Sequence, residues 1–261
     1  MIETISQLAR SEHQGPLYTL LKNGQIYGEY FFSWFKGSLV AYTHLARPDS
    51  LAERYHSEWA MSDYNSIIKA FGRPPQCEII DDDVPKRFPS WKRSKSFYLF
   101  THAFDDTSPI CCGDTGRPIP LYLLPINQLT RQDLYFWSRS YSNHDKLWLE
   151  SEALEIPAYK QLADPASELS IEGRKLCADV ERATKTPTYY FMHRYWGRNL
   201  GEAVRPCPLC GSKWHTSETP AEVRPYHQFH FRCEPCRLVG HCASSYDDER
   251  HARIGEFKKG R

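Results

Sequence analysis

"CPLCGSKWHTSETPAEVRPYHQFHFRCEPC", running from Cys207 to Cys236, decides the fold of the C-terminal part of this chain. It holds two C-x-x-C pairs, Cys207/Cys210 and Cys233/Cys236, with 22 residues between them. Such thiols can form disulfides, a redox centre or a metal site. The full chain of 261 residues has 9 cysteines, an odd number that does not suit a closed disulfide framework. The N-terminal "MIETISQLARSEHQGPLYTLL" has an early acid and no continuous apolar run. It therefore does not read as a secretory signal, and a reducing cytoplasmic setting is expected. A thioredoxin-like centre uses one C-x-x-C beside a βαβ unit, which this pattern lacks. Paired C-x-x-C turns fit zinc, which takes four soft ligands in a tetrahedron.

Each turn has suitable local chemistry. In "CPLCG", Pro208 fixes φ and Gly211 can take positive φ just past the second thiol. "CEPCR" supplies the second turn. "YHQFHFRC" alternates in a period close to two and suits a strand entering it. The expectation is a zinc ribbon holding one structural Zn2+ on Cys207, Cys210, Cys233 and Cys236. Four thiolates close the coordination shell, so the ion would fold its domain and activate no water; zinc-finger peptides gain about 10–16 kcal/mol in this way. His215, His227, His230 and His241 are substitute ligands of lower rank, and Cys242 breaks the paired spacing.

Upstream, helix and strand signals mix without regular βαβ alternation. "GQIYGEYFFSWFKGSLVAYTHL" (24–45) reads as a hairpin turning at "KGS". "SLAERYHSEWAMSDYNSIIKAFG" (50–72) reads as a helix capped by Asp49 or Ser50 and stopped by Gly72. "CEIID" and "SFYLFTHA" suggest short strands. A helix capped by Thr130 should bury Leu134, Trp137 and Tyr141. Another, capped by Ser170, should bury Ile171, Leu176, Cys177 and Val180. Pro187 ends it, and "TPTYYFMHRYW" should be a strand. The fold class is α+β: a mixed sheet with several helices plus a small C-terminal zinc ribbon. Glycines and a proline in "WGRNLGEAVRP" (196–206) suggest an α+β domain over 1–200 and the ribbon, on its own hinge, over 201–261.

Three segments, "SPICCGDTGRPIPLYLLP" (108–125), "ELSIEGRKLCADVERATKTPTYYFMHRYWG" (168–197) and "CPLCGSKWH…FHFRCEPCRLVGH" (207–241), occur in this order. Together they resemble a bacterial family of unknown function, described as carrying a zinc ribbon and as candidate nucleic-acid binders. The resemblance spans roughly 108–241. It implies an N-terminal α+β region followed by a ribbon, and no established activity.

Composition narrows the function classes. A net charge of +1 is not that of a polycation. No run approaches the 18 apolar residues of a membrane span. Residues 191–261 hold 12 basic and 8 acidic side chains against 21 and 24 in the rest, so positive charge gathers on the ribbon side. "PKRFPSWKRSKSFY" and "MHRYWGR" interleave bases with rings. Trp91, Lys92, Arg93, Arg194, Trp196 and Arg198 are therefore the candidate contacts to single-stranded nucleic acid. The leading expectation is a different class: a non-catalytic, cytosolic protein-binding module of the adaptor, inhibitor or toxin-immunity type, rich in the aromatic residues that interfaces favour. No nucleophile-elbow, P-loop or H-E-x-x-H motif is present, and no small-molecule substrate is expected. The best enzyme-like feature is the loop holding Cys111, Cys112, Asp114 and Arg117. The acids Asp81, Asp82 and Asp83 are the best candidate for a hard cation.

Overall fold

A computed structural model describes residues 15–80, 89–216 and 228–258. Its centre is a five-stranded mixed sheet assembled from β3 (Phe97–Leu99), β4 (Ile110–Cys112), β5 (Thr188–Met192), β6 (Phe231–Cys233) and β7 (Leu238–Gly240), in the order β4-β3-β5-β7-β6. β3 and β5, and β5 and β7, run parallel; both outer pairs are antiparallel. The residues expected to form a separate ribbon supply two of these five strands. The boundary at 200/201 divides segments of sequence, but the sheet runs across it, and the expected hinge does not separate two cores. The reason is β5–β7 pairing: Tyr190 lies beside Leu238 and Met192 beside Gly240.

Alternation along the strands assigns the two faces. Phe97, Leu99, Tyr190, Met192 and Leu238 face the helices and join one buried cluster with Cys207, Cys233, Trp214 and Phe231. Tyr98, Tyr189, Phe191 and Val239 form the second cluster on the opposite face. The helices on the first face are α3 (Gln128–Glu150), α4 (Glu155–Ala163) and α5 (Glu168–Thr184), which lie in sequence between β4 and β5. Leu134, Trp137 and Tyr141 of α3 are buried, as the helical stripe predicts. On α5 the core takes Leu169, Gly173, Leu176, Cys177 and Val180, while Ile171 stays exposed. Gly173 is required by closeness: a Cβ there would meet the Tyr190 ring at 2.3 Å.

Helix starts fall upstream of the expected caps. Asn127 caps α3 by accepting from the Thr130 N–H, and Ser167 caps α5 by accepting from the Ser170 N–H. Thr130 and Ser170 are therefore recipients of capping, three residues inside their helices. Helix α2 (Glu58–Phe71) starts at Ser57 rather than at Asp49 or Ser50 and ends at Gly72, which is left-handed with φ 71°. "CEIID" forms no strand within its described residues 77–80.

Helix α1 (Pro16–Asn23) leads into the expected hairpin of β1 (Ile26–Phe35) and β2 (Ser38–Leu45). Lys36 and Gly37 both have positive φ, 47° and 76°, as a two-residue type I′ turn requires. Ile26 anchors the base in the core, but Phe31 is 63% exposed, and Trp34 and Phe35 are each 58% exposed.

Candidate metal centre

The four paired cysteines converge. The sulfurs of Cys207, Cys210, Cys233 and Cys236 all lie within 4.8 Å of one another, and Cys210 and Cys233 are 3.6 Å apart. A disulfide would bring two sulfurs to about 2.05 Å. A tetrahedron with Zn–S of about 2.3 Å has edges of about 3.8 Å, which matches the spacing seen. The donor set therefore fits a thiophilic cation.

Two knuckles hold the sulfurs. In the first, the Gly211 N–H donates to the Cys207 carbonyl at 2.9 Å and the Cys207 N–H donates to the Ser212 carbonyl at 2.8 Å. Gly211 turns the chain with φ 72°. In the second, Arg237 takes the corresponding place, with φ 50° on a residue that carries a Cβ. Its side chain is held by carboxylates: Nη2 lies 3.0 Å from Glu181 of α5 and Nη1 lies 2.9 Å from Glu234. The Tyr189 hydroxyl donates to Glu234 and accepts from Arg232, each at 2.6 Å. A metal knuckle, a core strand and a core helix are thereby tied together. Burial alone would raise the Glu181 carboxyl, but the Arg237 guanidinium outweighs it and holds the group below its usual value.

The thiols are unequal. Burial pushes Cys207 up to about 12 and also raises Cys236. A hydrogen bond with Ser212 brings exposed Cys210 down to about 6. Four crowded thiolates repel one another, and a divalent cation on these four residues would remove that repulsion and displace the remaining protons.

The histidines are arranged otherwise. Nδ1 of His230 and Nδ1 of His241 lie 3.0 Å apart, so these two rings partner each other. His215 bridges to Phe231 at the sheet edge. Cys242 donates its backbone N–H to His230. His227 and Asp81–Asp83 lie outside the described residues. Cys111 is buried in the second cluster, with its thiol pushed up to about 12 by burial. Cys112 sits 3.9 Å from Asp114.

The nucleic-acid candidates do not form one surface. Arg194 is only 7% exposed: it forms a two-pronged pair with Glu202 and donates to the Ala252 carbonyl at 2.6 Å. Trp196 is 6% exposed and packs edge-on against Tyr159 at 4.6 Å. Neither presents a face on which a base can stack. Arg198 is paired with Glu256. Lys92 and Arg93 are exposed, and Trp91 is partly buried against the main cluster. Alternating bases and rings in "MHRYWGR" reflect a buried ion pair beside an aromatic cluster.

Residues 92–193 match the family described as Domain of unknown function (DUF2310), and residues 197–247 match Domain of unknown function (DUF8594). An uncharacterized protein of Haemophilus influenzae is 30% identical over 197 residues, spanning 70% of this chain and 92% of that protein. The chain belongs to this bacterial family of unknown function. A second uncharacterized protein of the same organism is 34% identical over 169 residues, covering 64% of this chain and 60% of its own length. No solved structure matches. Neither family description names a zinc ribbon or a nucleic acid. The DUF2310 match ends just after β5, and the DUF8594 match contains all four cysteines, so the β5–β7 pairing joins the two matched regions.

Proposed function

We propose that this chain is a non-catalytic protein-binding module, stabilised by one structural Zn2+ on Cys207, Cys210, Cys233 and Cys236. The observation that carries this reading is the β1–β2 hairpin. Phe31, Phe32, Trp34, Phe35 and Tyr42 are 37–63% exposed on one two-stranded sheet. Exposed rings gathered on one element mark an interaction surface, whereas scattered ones do not. An adaptor, an inhibitor and a toxin-neutralising protein all need such a surface and no catalytic group. The thiols support a structural role for the metal, because four ligands leave no open position for water. The nine free cysteines suit the reducing cytoplasm. Burial of Arg194 and Trp196 removes support from the nucleic-acid alternative.

The test is affinity capture with tagged wild type and with the double variant Phe31→Ser/Trp34→Ser, both treated with nuclease. A stoichiometric protein retained by wild type and lost from the variant is expected. Retention of nucleic acid alone, or equal protein capture by both, would overturn the reading. Elemental analysis should find about one zinc per chain in both, because the hairpin and the cysteine-bearing strand belong to different sheets.

A further inference from the structure

We infer that the partner of the hairpin is a second copy of this chain, joined through the open edge of β1; this deepens the protein-binding reading and rests on it. β1 is paired with β2 on one side only among the described residues. The register places Phe35 opposite Ser38, Ser33 opposite Val40 and Phe31 opposite Tyr42. A two-residue turn makes Phe35–Ser38 a hydrogen-bonded pair, and bonding then alternates along the strand. Phe31, Ser33 and Phe35 bond inward to β2. Phe32 and Trp34 point their backbone N–H and C=O groups at the open edge.

Proteins blunt such edges with charge, proline, shortness or a bulge. β1 is 10 residues long, and its register shift lies at the base, between Tyr27 and Phe31. The distal part has none of these protections except Lys36 at the turn. Neither Lys36 nor Glu29 has an ion-pair partner among the described residues, and both are exposed. The strand carries its negative group near one end and its positive group at the other, so two copies side by side and antiparallel match opposite charges.

Symmetry fixes the register. A two-fold axis normal to a sheet keeps each face on its own side, so pairing must be centred on a residue. Centring on Ser33 places Phe31 opposite Phe35 of the second copy and Phe32 opposite its Trp34. Phe31, Phe32, Trp34 and Phe35 then each meet a ring, and the small Ser33 sits on the axis. Lys36 falls opposite Tyr30 and one residue from Glu29. Centring on Phe32 or Trp34 instead sets rings against Ser33 or Lys36. In the Ser33 register Phe32 and Trp34 form the hydrogen-bonded pair, which is what their outward backbone groups require. The exposed fractions of the five rings, 37–63% each, offer about 1,000 Å² of apolar surface from two copies, the size at which specific interfaces begin.

Analytical ultracentrifugation of the full chain, loaded with zinc, tests this with three variants. Wild type should sediment as a dimer at micromolar concentration. Phe32→Pro removes an outward N–H and no β1–β2 bond, so it should stay folded by circular dichroism and weaken dimerisation about a hundredfold. Ser33→Cys should give a reducible cross-linked dimer above the wild-type background set by exposed Cys77, and Trp34→Cys should not, because only position 33 meets itself. A monomeric wild type, or a dimer that survives Phe32→Pro, would overturn the inference, as would equal cross-linking at 33 and 34. A monomeric wild type that still captures another protein through the hairpin would overturn self-pairing and leave the protein-binding reading standing. One that captures nothing would overturn both.

Discussion

Replacing Arg237 should rank variants in an order opposite to the usual one. At an ordinary, non-helical position with negative φ, Ala is at least as stable as Gly, since Gly loses more backbone entropy on folding. Arg237 has φ 50°, where a Cβ costs about 1–2 kcal/mol. Its guanidinium reaches Glu181 at 3.0 Å and Glu234 at 2.9 Å, with all three side chains 30–56% exposed. At that exposure solvent screens the charges, and about 1 kcal/mol is a fair worth for the set. Arg237→Ala loses the ion pairs and keeps the strain, for a net loss of about 1 kcal/mol. Arg237→Gly loses the same pairs but releases about 1 kcal/mol of strain, and should be near neutral. The gap corresponds to about 2–4 °C in Tm for a chain of this size. Glu181→Gln should cost less than Arg237→Ala in wild type, because Glu234 still pairs with Arg237, and less again in the Arg237→Gly background. The pH dependence has a definite sign. The Glu181 carboxyl is held below its usual 4.5 in the folded chain, so its stabilisation is present above that value and fades as pH falls through the folded value. The wild-type advantage over Glu181→Gln should therefore be full well above the usual 4.5 and shrink as pH falls below it. Thermal denaturation of the zinc-loaded variants at pH 7 reads the ranking, and the difference between wild type and Glu181→Gln, followed as pH is lowered, reads the sign. Arg237→Ala matching or exceeding Arg237→Gly would refute the strain argument.

Chelation should lower the far-UV signal of the whole sheet in one transition, because Cys207 and Cys233 share a cluster with Phe97 and Tyr190; limited proteolysis that leaves residues 1–190 protected would contradict this. Cys210→Ser combined with Cys236→Ser should abolish the single bound zinc in elemental analysis. Glu202→Gln should destabilise by about 3 kcal/mol in urea titration, since it leaves both Arg194 and Arg205 charged and largely buried beside an uncharged amide. Gly173→Ala should be among the most damaging single-methyl changes, because the added carbon would meet Tyr190 at 2.3 Å and Trp137 at 2.8 Å; unchanged Tm would mean that α5 slides freely on β5.

Signals carried by neighbouring residues led to local answers. The metal thiols, the I′ turn at Lys36–Gly37, the Leu134/Trp137/Tyr141 stripe and the strand after Pro187 each depend on residues within a few positions of one another. The caps of α3 and α5 slipped by three for a definable reason. Asn127 and Thr130, like Ser167 and Ser170, are polar residues three apart, and composition does not say which offers the oxygen and which the N–H. Composition also misled at Arg194 and Trp196. A basic residue next to a ring looks the same whether it faces solvent or closes a buried pair, and Glu202, eight residues away, decides the matter. The Arg237–Glu181 pair spans 56 residues and has no local trace except that the second knuckle carries Arg where the first carries Gly.

That difference bears on why the cysteine-bearing segment lies within the sheet. A ribbon on a linker needs only its own two knuckles and its ion. Here the first knuckle turns on a glycine, which needs no outside support, and it lies in the connection between β5 and β6. The second turns on an arginine whose strained backbone is held by Glu181 of α5 and whose carbonyl accepts the Tyr190 N–H at 2.8 Å. The same residue thus closes the metal turn, starts β7 alongside β5, and anchors both to the helix layer. Metal geometry and sheet registry then depend on one another. An ion at the four thiols would fix where β7 begins, and β5 fixes which way the second knuckle faces. An ion bound there would therefore act on the central sheet as a whole, because the outermost strand on that side, β6, ends on Cys233, the first thiol of the second pair.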